Sequence, residues 1–149
     1  MMKIFWGTLN IRKKSHIKLP IKKKVKKGQK EYLEKKEEAR KIVLEKLKFW
    51  QKYYFDNFQI KLEYKKVFIK NVKTRWGSCS SRKNLNFNYK VVFLEQDLQD
   101  YLIVHELCHL LEMNHSGSFW DLVSLAIPDW KVKKQFLKSW RFDRGRVIL

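Results

Sequence analysis

The chain has 149 residues, a length that suits one compact domain with at most a short appendage. Five Gly and two Pro argue against a loop-dominated or disordered chain, and ten Phe, six Trp and six Tyr can fill a sizeable core. The formal net charge of +19 favours nonspecific attraction to nucleic acid or another polyanion.

Neither membrane insertion nor secretion is expected. No apolar run approaches the length that spans a bilayer, and the apolar patch at residues 4–6 is too short for a signal peptide. Two cysteines, Cys79 and Cys108, do not make a disulfide framework. The sequence therefore predicts a cytoplasmic protein.

Residues 1–28 form a short basic N-terminal segment. Weak alternation of apolar and basic residues predicts one or two strands there, with Pro20 at an edge or at a strand end. Residues 1–50 hold 17 Lys or Arg against 5 Glu, a net of +12, so most of the charge excess is N-terminal. His16 stands alone in this segment.

Residues 29–55 predict one amphipathic helix. Apolar side chains recur there every three or four positions, and they are Tyr32, Ala39, Val43, Leu47, Trp50 and Tyr54. A helix that packs against a sheet is the favoured interpretation, ahead of a basic helix on a membrane surface.

Beyond residue 58 the apolar period falls towards two. This pattern predicts short strands at residues 59–64, 68–73, 74–79 and 85–93. Trp76, Phe87 and Tyr89 could stack on nucleic-acid bases. Half-buried positions in a sheet are the preferred interpretation of these three aromatic residues.

A further helix is predicted to begin near residues 96–98 and to carry the sequence H-E-x-x-H at residues 105–109. His105 and His109 are four positions apart, so both imidazoles project from one helical face and can bind one metal ion. Glu106 lies beside the first ligand, where it can accept a proton from metal-bound water. This arrangement is typical of a zinc hydrolase.

A third ligand is needed, because catalytic zinc sites use three protein ligands and a water. On an unbroken helix His115 would lie about 15 Å along the axis from His105. His115 can therefore bind only if the helix ends near Glu112 and the chain folds back. We expect Asn114 to close the helix in the left-handed conformation. Carboxylates are the alternatives to His115, namely Glu112, Asp121 and Asp129.

The remaining C-terminal pattern predicts two helices. Ser116 or Ser118 can N-cap a helix through Leu125, Pro128 ends or follows it, and residues 130–140 form a final basic helix. Cys108 is a possible soft ligand but is favoured as a core residue. A second oxyanion donor is not identified, and the candidates are Arg75, Tyr89 and Tyr101.

Separated blocks in order also resemble a known family. Residues 74–80 (TRWGSCS), 85–88 (LNFN), 105–109 (HELCH) and 114–116 (NHS), with Phe119-Trp120, resemble the YgjP-like metallopeptidases, relatives of the SprT-like proteases. Metzincins share the histidine spacing, but Glu112 stands where they have glycine and no methionine follows Met113. The metzincin class is therefore rejected.

The resemblance implies an α+β, zincin-like single domain over residues 29–149. A small twisted antiparallel sheet would pack on a support helix and on an active-site helix that carries HExxH. His105, His109 and His115 would bind Zn²⁺, Glu106 would be catalytic, and the substrate would be a peptide or protein. The alternative function is a basic nucleic-acid-associated module on a protease-like fold, one that could act on DNA-bound proteins.

Overall fold

A computed structural model of the chain describes residues 27–140. The elements follow in the order α1 (Lys27–Phe58), β1 (Lys66–Lys70), β2 (Gly77–Cys79), β3 (Asn84–Asn88), a 3-10 helix (Tyr89–Phe93), α2 (Gln96–Cys108), α3 (Gly117–Ala126) and α4 (Trp130–Ser139). The one or two strands expected around Pro20, and His16, lie outside the described residues. The division into a segment 1–28 and a domain 29–149 stays a prediction.

The long helix α1 is the predicted amphipathic helix, extended by two or three residues at each end. Its buried face presents five of the six predicted apolar residues to the core, and these are Ala39, Val43, Leu47, Trp50 and Tyr54. The helix ends where Gln59 adopts a left-handed φ of 57°. The Gln59 amide then donates to the Phe55 carbonyl at 3.0 Å, which closes the last turn.

The sheet is mixed, and β3 is its central strand. β3 pairs in parallel with β1, where Val67 lies opposite Leu85, and antiparallel with β2, where Ser78 lies opposite Asn86. The predicted α+β class is confirmed, while the purely antiparallel sheet is wrong for the β1–β3 pair. Residues 71–83 carry the chain back across the sheet through β2, and this return lets β1 and β3 run in one direction.

Several predicted strands are shorter than expected. Residues 59–64 contain no strand, and the last predicted strand ends at Asn88, before a 3-10 helix. The Asn88 side chain accepts from the Lys90 amide at 3.1 Å and donates to the Val72 and Arg75 carbonyls. The bond from the Lys90 amide caps the 3-10 helix, and the other two bonds tie Asn88 to the chain before β2 at the point where β3 ends.

Helix α2 runs through the core between α1 and the C-terminal helices. Nine of its residues are buried, and these include the whole run Tyr101–Val104. Asp100 Oδ1 accepts hydrogen bonds from Lys46 Nζ at 2.7 Å and from Trp50 Nε1 at 2.9 Å, which ties α2 to α1. The helix that carries the histidine motif is thus held on several sides.

The C-terminal predictions agree with the structure. Ser116 Oγ accepts from the Phe119 amide at 3.3 Å and caps α3, which ends before Pro128.

Trp76, Phe87 and Tyr89 are buried, so they belong to the core and are not available to stack on bases. Among residues 27–140 no helix combines the length and apolar character that crossing a bilayer requires.

Candidate metal centre

Three histidine side chains meet at the C-terminal end of α2. His105 Nε2 lies 3.2 Å from His109 Nε2 and 3.0 Å from His115 Nε2. Within the described part of the chain this is the one group of three or more metal-ligating side chains, and its ligand atoms all lie within 4.8 Å of one another. The arrangement can hold one metal ion.

His115 reaches the other two histidines because α2 ends at Cys108, four residues before Glu112. The amides of Leu110 and Leu111 then donate three residues back, at 3.0 and 3.1 Å, in a tightened turn that redirects the chain. The predicted fold-back is confirmed. The predicted left-handed Asn114 is wrong, since Gln59 and Lys83 alone among the described non-glycine residues have a positive φ.

The surroundings of His109 fix which nitrogen faces the cluster. His109 Nδ1 lies 2.9 Å from the Glu112 carbonyl oxygen, which only accepts, so Nδ1 carries the proton and Nε2 keeps its lone pair. The buried Phe119 ring stacks on His109 at 4.5 Å. The Tyr101 hydroxyl lies 3.5 Å from His105 Nδ1, so each of these two histidines has a polar neighbour behind it.

The carboxylates proposed as alternative third ligands do not join this group. Asp129 forms an ion pair with Lys133 at 3.2 Å, and Glu112 contacts His109 through its backbone oxygen. Asp121 is exposed on α3. Cys108 is buried with its Sγ 3.4 Å from the Tyr54 hydroxyl, as expected of a core residue.

The electrostatic setting favours neutral imidazoles. Burial, followed by the charges of His109, His115 and Lys134, lowers the pKa of His105 to about 3. Burial, followed by His109 and Lys134, also lowers the pKa of His115. A neutral imidazole is the form that binds a metal, so the site is prepared for a cation.

Glu106 is a buried carboxyl group beside the histidines, with 4% of its surface exposed. Burial raises its pKa to about 8, while the charge of Arg75 acts in the opposite direction. Its Oε2 has no hydrogen-bond partner among the described residues. A buried carboxylate oxygen without a partner reduces stability, and such groups cluster at functional sites.

The glycine of the TRWGSCS block lies directly against this carboxyl group. A Cβ atom at Gly77 would lie 2.5 Å from Glu106 Oε1 and 2.8 Å from Cδ. Only a residue without a side chain leaves room for Glu106 here. Gly77 did not appear among the predicted site residues, although a glycine inside a strand indicates close approach of another group.

The three candidate oxyanion donors occupy different places. The Tyr89 hydroxyl donates to Glu31 on α1 at 3.2 Å. Tyr101 lies behind His105, and Arg75 is close enough to influence the pKa of Glu106. Tyr101 and Arg75 therefore remain near the site, and Tyr89 has a structural partner.

Comparison with known proteins finds a family model and solved structures that are similar to the chain. The chain matches the model of the YgjP-like metallopeptidase domain over residues 7–140. The metallopeptidase zymogen of Pyrococcus abyssi abylysin is 25% identical, with a TM-score of 0.54 over 66% of this chain and 96% of that chain. The metallopeptidase zymogen of Methanocaldococcus jannaschii jannalysin is 26% identical, with a TM-score of 0.48 over 67% and 91%. No curated protein gives a significant match.

Proposed function

Because the chain belongs to the YgjP-like metallopeptidase family, we propose that it hydrolyses peptide bonds with a zinc-activated water and with Glu106 as the general base. His105, His109 and His115 are the proposed zinc ligands. The observation that carries the proposal is the convergence of three imidazole nitrogens beside a buried carboxyl group whose Oε2 has no hydrogen-bond partner within residues 27–140. Membership of the family implies a metal ion and a peptide or protein substrate.

The donor set supports zinc over harder cations. Three imidazoles suit zinc, whereas calcium and magnesium prefer oxygen ligands. Tetrahedral zinc with bonds of about 2.05 Å separates neighbouring nitrogens by about 3.3 Å, close to the 3.0 and 3.2 Å observed for the two pairs that include His105. Three protein ligands also leave a fourth position for water, which is typical of a catalytic site and not of a structural one.

The chain's own residues supply the proton transfers. Zinc, when bound, makes a water more acidic and polarises the scissile carbonyl. Glu106 accepts the proton of that water and passes it to the departing amine. The raised pKa of Glu106 makes its carboxylate a stronger base than an exposed one. The Glu112 carbonyl holds His109 with Nε2 towards the cluster.

Gly77 is expected to be a positioning residue for this base. A Gly77→Ala substitution places a Cβ 2.5 Å from Glu106 Oε1 and forces the carboxylate to move. A displacement of about 1 Å can cost about a hundredfold in rate, so kcat/KM for peptide cleavage should fall by about that factor while bound zinc is retained. Gly28→Ala is the matched control, since within the described residues its Cβ meets nothing within 4 Å. Equal activity of the two variants would contradict the assignment.

Removal of the metal tests the function itself. Protein treated with a chelator should lose all cleavage of a fluorogenic peptide library, and one equivalent of Zn²⁺ per chain should restore it. Magnesium should not restore it, because a three-imidazole site binds that ion poorly. Undiminished cleavage by metal-free protein would overturn the proposal.

A nucleic-acid-associated module remains the second candidate function, and it rests on the net charge of +19. Charge alone supports nonspecific attraction to phosphate. Glu106 favours the peptidase, because a binding module has no use for a buried carboxyl group beside three histidines.

A cytoplasmic location likewise stays a proposal, supported by a cysteine pair that does not form a disulfide framework.

A further inference from the structure

A stack of rings connects the histidine cluster to a lysine on α4. His115 stacks on Trp120 with centroids 5.5 Å apart, and Trp120 stacks on Trp130 at 3.9 Å with an interplanar angle of 11°. Lys134 Nζ lies 4.3 Å from the Trp120 centroid and 5.7 Å from that of Trp130. Cation–π attraction to two indoles holds this ammonium group next to the metal centre.

Lys134 and its neighbour Lys133 differ in the groups that their ammonium ions contact. Lys133 forms ion pairs with Asp97 at 2.9 Å and with Asp129 at 3.2 Å, so it joins α4 to α2. Within residues 27–140, Lys134 has no carboxylate at ion-pair distance. An indole face attracts an ammonium group but accepts none of its three hydrogens in the way that an anion does. Lys134 therefore presents an available positive charge.

A single ring separates that charge from the histidine cluster. Trp120 is the shared neighbour, since its ring contacts both His115 and the Lys134 ammonium. Lys134 also acts on the histidine cluster electrostatically, because it is among the groups that lower the pKa values of His105 and His115. An anionic group of a bound substrate could thus contact Lys134 while a nearby peptide bond lies at the metal.

We propose that Lys134 forms a subsite that binds a carboxylate of the peptide substrate, on the His115 side of the metal centre. Carboxylates are the anions that an unmodified peptide carries, either at its C-terminus or on Asp and Glu side chains. The two indoles fix the ammonium group and provide a flat apolar wall beside it. This inference rests on the proposed peptidase function and adds a preference among its substrates.

Binding to a catalytically blocked protein tests the subsite directly. Zinc-loaded Glu106→Gln protein is titrated with three octapeptide libraries. Two have only uncharged side chains, one of them with a free C-terminus and the other amidated, and the third is amidated and carries a single Glu. At least one carboxylate-bearing library should bind about tenfold more tightly than the amidated one, as for a charge-assisted hydrogen bond. Lys134→Gln should abolish this preference. Lys131→Gln should keep it, because Lys131 Nζ lies 5.6 Å from the Trp130 centroid and, within residues 27–140, makes no cation–π contact with Trp120.

The libraries also identify the source of the carboxylate. A preference for the free C-terminus indicates C-terminal recognition, and a preference for the Glu library indicates side-chain recognition. Equal binding of all three libraries, or a preference that survives Lys134→Gln, overturns the inference.

Cleavage by otherwise native protein separates this inference from the proposed function. Lys134→Gln should raise KM about tenfold for the preferred carboxylate-bearing peptides and leave kcat unchanged. An equal fall in kcat for all peptides would mean that Lys134 acts on the reacting atoms, and the carboxylate subsite would be wrong. Absence of any cleavage by the zinc-loaded protein would overturn the peptidase function, while the binding preference would still decide the subsite.

Discussion

Replacing Glu106 with Gln is expected to reduce peptide cleavage by about a thousandfold or more while one zinc ion per chain remains bound. Gln has nearly the shape of Glu, so the space against Gly77 stays filled and the histidines keep their positions. The amide has no basic oxygen comparable to the carboxylate and does not take the proton of water. The value of kcat/KM measures the loss of cleavage, and atomic absorption measures the zinc that remains bound.

The same variant should change the pH dependence of stability in the metal-free protein. Burial raises the pKa of Glu106 from 4.5 to about 8, so between these values the folded state binds more protons than the unfolded state. The stability contributed by this group is therefore lost as pH rises through that window. The midpoint of thermal unfolding should fall more steeply from pH 4.5 to pH 8 in native protein than in Glu106→Gln. Native cleavage rates in Glu106→Gln would exclude Glu106 as the general base.

Replacing His115 with Ala is expected to remove most of the metal affinity. Loss of an outer hydrogen-bond partner of a ligand costs about 10–100-fold in affinity, and loss of a ligand itself should cost more. His115 is exposed and follows the end of α2, so its truncation opens no core cavity and the fold should persist. Competition with a chromophoric chelator measures the affinity, and circular dichroism measures the fold.

The alternative third ligands provide the controls for His115. Asp121→Ala removes an exposed carboxylate from α3, the helix that begins just after His115, and should leave zinc affinity and cleavage unchanged. Glu112→Ala should do the same, because the Glu112 contact with His109 uses the backbone oxygen. Full zinc affinity in His115→Ala, together with loss in either carboxylate variant, would move the third ligand to that carboxylate.

Features encoded within one turn of helix were predictable from the sequence. The period of apolar residues located α1, the spacing of His105 and His109 located the motif face, and Ser116 indicated the start of α3. Each depends on residues that are close along the chain. The need for a chain reversal before His115 followed from helix geometry in the same way.

Contacts between distant segments were not predictable in this way. The parallel pairing of β1 with β3 depends on how residues 71–83 cross the sheet, and hydrophobic alternation is the same for either direction. Asn88 ends its strand through bonds to residues 72 and 75, which no local pattern reveals. Lys134 is one lysine among many in the sequence, and only the fold brings it over Trp120.

The close approach of Gly77 to Glu106 makes the two positions interdependent in evolution. An alanine Cβ at position 77 would have Oε1, Cδ and Cγ of Glu106 as its three nearest atoms, so this clash depends on the long side chain at position 106. In a Glu106→Ala background the second substitution Gly77→Ala should therefore add little further destabilisation. A descendant protein that loses Glu106 no longer needs glycine at position 77. Loss of both residues together would mark lineages that have lost the hydrolytic activity while keeping the fold.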